Sequence, residues 1–183
     1  MSFADPESIV ANFGLVAGQE IADFGSGIGP YALACAKIVG QTGKVYAVDI
    51  QKDILERLKN DAQKLGLNNV EIIWGDIESA GGVKLKDESL DAIILANALF
   101  QAEDKVGVVK EMHRLLRTRG RVFLIDWRDS FGGLGPKPTD VLVPEKAEEL
   151  FSTNGFEKIN SSAGEFSAGD HHYGLIFSKH GQI

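Results

Sequence analysis

Residues 21–30 read Ile21-Ala22-Asp23-Phe24-Gly25-Ser26-Gly27-Ile28-Gly29-Pro30, an apolar run that carries one acid and then three glycines in five positions. Glycines at alternate positions open backbone conformations closed to other residues and leave no Cβ between the chain and a flat ligand. A second acid, Asp49, ends the next apolar run, 24 residues after Gly25. A carboxylate there can accept hydrogen bonds from both hydroxyls of a ribose. A third acid lies in Gly75-Asp76-Ile77, where a carboxylate can accept from an adenine amino group. Together these groups describe a nucleoside-shaped ligand, and the two later acids favour one without phosphates.

The spacing of Asp49 alone also fits NAD dehydrogenases, but the rest of that chemistry is missing. The dinucleotide fingerprint asks for Gly-x-Gly-x-x-Gly, and Pro30 stands where the third glycine belongs. None of Tyr31, Tyr46 or Tyr173 begins a Tyr-x-x-x-Lys pair, and no Walker A loop is present.

The elements that must position these groups follow from periodicity and punctuation. Asp5-Pro6-Glu7 starts a short helix, with Asp5 as N-cap, running to about Phe13. Buried strands are expected at Glu20–Phe24, Lys44–Asp49, Val70–Trp74, Leu90–Ala96 and Arg121–Ile125. Helices are expected at Pro30–Val39, Asp53–Leu65, Glu103–Leu116 and Pro144–Thr153. The alternation is that of parallel βαβ units. Two last strands, Phe156–Ser162 and His171–Lys179, are joined by a turn and therefore pair antiparallel. Between Asp126 and Val143 the chain runs through Gly132, Gly133, Gly135, Pro136 and Pro138, a loop too long for a plain connection.

Composition narrows the class. A chain of 183 residues with 44% hydrophobic and 25% charged residues is expected to be one globular domain, 1–183. The single cysteine, Cys35, excludes an internal disulfide framework and a multi-cysteine zinc site and suits a reducing compartment. No signal-like or membrane-spanning run is seen, so a cytoplasmic setting and no membrane span are expected. A net charge of -7 argues against sequence-independent nucleic-acid binding. The cluster Arg114, Arg117, Arg119 and Arg121 reads mainly as cations complementing a helix C-terminus and the turn after it.

Several segments resemble class I S-adenosylmethionine-dependent methyltransferases of the group that includes ubiquinone/menaquinone-biosynthesis enzymes. They are Asp23-Phe24-Gly25-Ser26-Gly27-Ile28-Gly29, Val45-Tyr46-Ala47-Val48-Asp49-Ile50, Gly75-Asp76-Ile77, Ser89-Leu90-Asp91 with Asn97-Ala98-Leu99, and Arg114 to Arg121. The resemblance implies an α/β, doubly wound Rossmann-like sheet of seven strands, order 3-2-1-4-5-7-6, with strand 7 antiparallel. It implies S-adenosylmethionine as cofactor and S-adenosylhomocysteine as product. It places Asp23, Gly25, Ser26, Gly27 and Gly29 around the methionine end, with Asp23 near the ammonium. Asp49 would hold the ribose hydroxyls, Ile50 the adenine face, and Asp76 with Ile77 the adenine edge. Asn97 would sit near the methionine moiety and the acceptor. No metal is implied.

The acceptor side is less specified. The resemblance implies a histidine after the fourth strand, where this chain has Phe100-Gln101, and the segment before the first strand is short for a lid. A small-molecule acceptor is expected, with room for a partner subunit or a second copy over an open site. Groups that topology brings to the same edge, Asp126, His171 and His172, are the catalytic candidates. A histidine titrates near neutrality and an aspartate can orient a hydroxyl or amine. A non-catalytic cofactor-binding subunit, or a methyltransferase acting on protein or RNA, is the competing reading.

Overall fold

A computed structural model describes residues 5–131, 135–159, 165–166 and 168–181. Helix α1 (Pro6–Val10) opens on Asp5, whose carboxylate accepts from the Ser8 amide. It ends earlier than its pattern suggests because the chain tightens, with the Phe13 amide donating to Val10, and turns Phe13 onto Phe123 in a stack 4.0 Å between ring centroids. The chain continues through β1 (Glu20–Phe24), α2 (Pro30–Val39), β2 (Lys44–Asp49), α3 (Lys52–Lys64), β3 (Val70–Trp74) and β4 (Leu90–Ala96). Then follow a 3-10 turn (Leu99–Gln101), α4 (Lys105–Leu115), β5 (Leu116–Trp127), α5 (Pro144–Ser152), β6 (Phe156–Lys158), β7 (Glu165–Phe166) and β8 (His172–Lys179).

The sheet path is β3-β2-β1-β4-β5-β8-β6, with β7 pairing β8 off that path. β1 to β5 run parallel, and β8 is antiparallel to β5, β6 and β7. With the two-residue β7 set aside, this is the expected order 3-2-1-4-5-7-6. The expected strand Phe156–Ser162 is shorter, and the pairing resumes as Glu165–Phe166 farther along β8. Residues 160–164, which held the end of that strand and the start of the following turn, lie outside the described residues, as do Gly132 and Gly133.

One boundary is corrected. β5 starts at Leu116, not Arg121, because Leu90 of β4 pairs with Leu116 before the register shifts. Arg119, at φ 64°, and Gly120 absorb the shift inside the strand. Three of the four arginines there hold structural partners. Arg114 pairs with Glu111 and Asp87, and Arg117 with Asp91 and Glu20. Arg121 donates to the Phe13 and Gly14 carbonyls.

Alternating residues of the strands feed two cores. Ile21, Ile94, Phe123 and Ile125 pack with α1, α2 and α3, while Ala22, Phe24, Ile93, Leu95 and Leu124 pack with α4 and α5. Cys35 is a buried member of the first. Both faces being covered explains why the strands read as apolar runs rather than alternating ones. Parallel pairing of β1 to β5 brings Phe24, Asp49, Trp74, Ala96 and Trp127 to one edge, and the pairing of Trp127 with His172 brings the start of β8 there too.

Candidate functional site

Along this edge the chain leaves β1 through three glycines with left-handed backbones, Gly25 at φ 67°, Gly27 at 53° and Gly29 at 84°. The three are needed for different reasons. A Cβ on Gly25 would stand 2.9 Å from the Ala98 methyl, and one on Gly29 would overlap the Leu58 side chain of α3, whereas Gly27 has open space around it. The loop is fixed by its own amides. Ser26 donates to the Val48 carbonyl, Gly29 to that of Ser26, and Gly27 to Asp49 Oδ2 at 3.0 Å. The other oxygen of Asp49 accepts from the Gln51 amide at 2.9 Å. Each oxygen thus retains a lone pair and the carboxylate is held in one orientation.

A cavity of about 240 Å³ opens in front of Asp49. Gly25, Asp49, Ile50, Asp76 and Ile77 of the expected site residues line it. Ile50 is 64% exposed, an apolar side chain held in solvent beside a polar loop. Asp76 accepts from Ser79 Oγ and the Glu78 amide, and the serine bond first, then the amide, hold its carboxyl below the usual carboxylate range.

Five expected residues do not line this cavity. Asp23 is buried behind the loop, where its Oδ2 accepts from the Ala32 amide at 3.0 Å. It caps α2, whose N-cap Gly29 has no side chain to do so. Burial pushes its carboxyl up to about 7 against the effect of that amide, and the charge of Asp49 adds to the rise. Ser26, Gly27 and Gly29 form the loop behind Gly25. Asn97, left-handed at φ 54°, joins β4 to the 3-10 turn. Ser26 Oγ and Asn97 Oδ1 are buried without a hydrogen-bond partner among the described residues, one residue from the lining Gly25 and Ala98 respectively. Unmatched buried polar atoms are uncommon in native structures, and a polar ligand with hydroxyl, amino and carboxylate groups fits such a rim.

The remaining wall was only partly legible in sequence. Gln51, Gly75, Glu78, Ala98, Gln101 and Ala102 complete the cavity. Gly75 and Ala98 carried a signal as members of the Gly75-Asp76-Ile77 and Asn97-Ala98-Leu99 segments, and Gln101 as the residue standing where the resemblance implies a histidine.

The three catalytic candidates lie elsewhere. Asp126 is 0% exposed, with Oδ2 accepting from the Phe100 amide and Oδ1 from the Trp127 amide. Burial raises its carboxyl to about 7, while the two amides and the Lys105 charge act the other way. It is fully buried and does not line the cavity, so the residue anchors the 3-10 turn rather than facing a ligand there. His171 is buried against the Phe131 ring and His172 against Trp127. Burial, then His171, lowers the His172 pKa. Neither lines the cavity at Asp49. Among the described residues, no group of acids, histidines and cysteines is arranged to hold a metal, and no helix is long and apolar enough to cross a membrane.

A family model described as a methyltransferase domain matches residues 15–172. A demethylmenaquinone methyltransferase of Oceanobacillus iheyensis is 31% identical over 110 residues, covering 60% of this chain and 45% of that one. An arsenite methyltransferase of Aquipseudomonas alcaligenes is 32% identical over 116 residues, covering 61% and 34%. The chain thus spans about half or less of the length of these relatives. Among solved structures, a SAM-dependent methyltransferase from Aquifex aeolicus is 26% identical with a TM-score of 0.85, the match covering 97% of this chain and 90% of that one.

Proposed function

The chain belongs to the class I S-adenosylmethionine-dependent methyltransferase family, and from that premise we propose that it transfers the methyl group of S-adenosylmethionine to a small-molecule acceptor as one catalytic domain. The observation that carries this reading is Asp49: a strand-end carboxylate at the cavity, oriented by two backbone amides, with lone pairs left for two ribose hydroxyls. Ile50 then covers one adenine face, and Asp76 with Ile77 meets the adenine edge. Gly25 allows the methionine end to lie against the backbone, with Ser26 Oγ and Asn97 Oδ1 within reach of its polar groups. Asp23 works from behind this wall by holding the loop, and an ammonium at the loop relieves its repulsion with Asp49.

The cofactor supplies a methyl group on a positively charged sulfur with a good leaving group, so alignment of the acceptor can provide much of the catalysis. The chain needs no dedicated base at the cavity wall, where Gln101 stands. A cytoplasmic setting is part of the proposal; it rests on composition, the single cysteine being buried in α2.

Calorimetry with S-adenosylmethionine and S-adenosylhomocysteine tests the reading. Both are expected to bind, and lack of binding by both overturns it. Transfer of labelled methyl in an acceptor screen separates an enzyme from a cofactor-binding subunit, which would bind without turnover.

A further inference from the structure

A second cavity, of about 520 Å³, adjoins the first. The two share Gln101 and Ala102, so the 3-10 turn and the residue after it form their common wall. The far wall comes from Thr139 to Leu142 and from Lys146 in the first turn of α5. Its volume is that of a small-ligand pocket.

Its charge runs against that of the molecule. The chain carries a net -7, yet this cavity is lined by two lysines, Lys105 and Lys146, and one acid, Asp140. Lys105 is built into the wall, with its Nζ donating to the Phe100 carbonyl at 3.1 Å and the Ala102 carbonyl at 2.7 Å. Carbonyls orient the ammonium without cancelling its charge. The nearby Asp126 lies buried behind this wall and turns its oxygens to the Phe100 and Trp127 amides, without an ion pair to Lys105 among the described residues. Lys146 is exposed and makes no ion pair among the described residues. The arginines of β5 and the end of α4 are different, since Arg114 and Arg117 are matched by acids. Asp140 is held by Thr139 Oγ1 at 3.0 Å. The N-terminus of α5, which has no side-chain cap, adds its positive end to this wall.

We propose that this cavity is the acceptor subsite and that it selects a small organic carboxylate, paired by Lys146 and steered by the Lys105 ammonium. The proposal rests on the methyltransferase reading for the word acceptor; the preference for an anion rests on the cavity alone. Benzoate and benzamide are matched probes, alike in shape and different in charge. With the nitrogen-labelled full chain saturated with S-adenosylhomocysteine, benzoate is expected to shift the amides of Gln101, Ala102, Val141 and Lys146, and benzamide is not. Lys146→Glu is expected to weaken benzoate binding by roughly fivefold or more, as the loss and reversal of one partly exposed ionic contact. Glutamate is favourable in a helix first turn, so the variant retains α5. Benzamide shifting the same amides with equal affinity, or benzoate binding Lys146→Glu as well as the parent, overturns the proposal. Calorimetry with S-adenosylhomocysteine on the parent and on Lys146→Glu is read separately. Its failure on the parent sinks the cofactor reading, whereas unchanged affinity in the variant alongside lost benzoate binding supports an acceptor subsite.

Discussion

Asp23 and Asp126 do the same work on opposite sides of the strand ends. Each is buried at the end of a parallel strand, each is raised to about 7 mainly by burial, and each uses a carboxylate oxygen to hold the amide of a neighbouring segment, downstream of Asp23 and upstream of Asp126. Asp23 holds the first turn of α2, and Asp126 the 3-10 turn after β4. What each holds in place differs. On the Asp23 side the ligand wall is largely backbone: three left-handed glycines and amides locked onto Asp49. On the Asp126 side it is made of long side chains, Gln101, Lys105 and Lys146, above a loop. A backbone wall fixes one ligand shape, whereas a side-chain wall can change partner by substitution alone.

The largest effect tests the shared part of this comparison. A carboxyl raised in the folded state contributes stability that is fully present below its unfolded pKa near 4 and is lost as pH rises through about 7. Relative to Asp23→Asn, the parent should therefore lose up to about 4 kcal/mol of unfolding free energy between pH 4 and pH 8. Asp126→Asn should show the same slope in urea titrations. A flat difference for one of the two would end the symmetry between the halves.

Gly29→Ala attacks the backbone wall directly. The left-handed φ and the overlap with Leu58 together should cost about 3 kcal/mol, seen as a lower denaturation midpoint. Adding Leu58→Ala should relieve the steric part of that interaction and leave the backbone strain, which a double-mutant cycle separates. Asp49→Ala removes the acceptor on which the ligand reading depends. S-adenosylhomocysteine affinity should fall about 100-fold, the loss of two charge-assisted hydrogen bonds. A change of less than threefold would move the ribose elsewhere.

The smallest effect belongs to the other half. Tyr173 Oη donates to the Leu142 carbonyl at 2.8 Å, tying β8 to the loop of the second cavity. Tyr173→Phe should cost about 1 kcal/mol and leave S-adenosylhomocysteine affinity unchanged. An equal loss of cofactor affinity would show that the two walls are coupled.

This division also decides what could be read from the sequence. The glycine loop, Asp49 and Asp76 are specified locally, by residue types whose backbone or strand-end position is itself the function, and they fall on the expected edge. The sheet order followed from the βαβ rhythm and the resemblance together. Three things were not local. The early start of β5 depends on Leu90 pairing with Leu116 across the sheet, which no propensity in Arg117-Thr118-Arg119-Gly120 announces. Asp126 reads as a free strand-end acid until the fold brings the Phe100 amide to it. Thr139 to Lys146 joins the second cavity only because the loop returns across the edge to meet Gln101.

The two tryptophans of the chain fall one to each half. Trp74 ends β3, donates its indole N–H to the Ile50 carbonyl at 3.0 Å and lies under the Lys52 ammonium at 3.7 Å. Trp127 ends β5 and packs against His172 and the loop at Gly135. The molecule therefore carries its own pair of optical reporters. Emission from Trp74, isolated by Trp127→Phe, follows what settles on Ile50, and emission from Trp127, isolated by Trp74→Phe, follows the opposite rim. Changes at the two ends of the strand edge can therefore be followed separately in one unlabelled sample series.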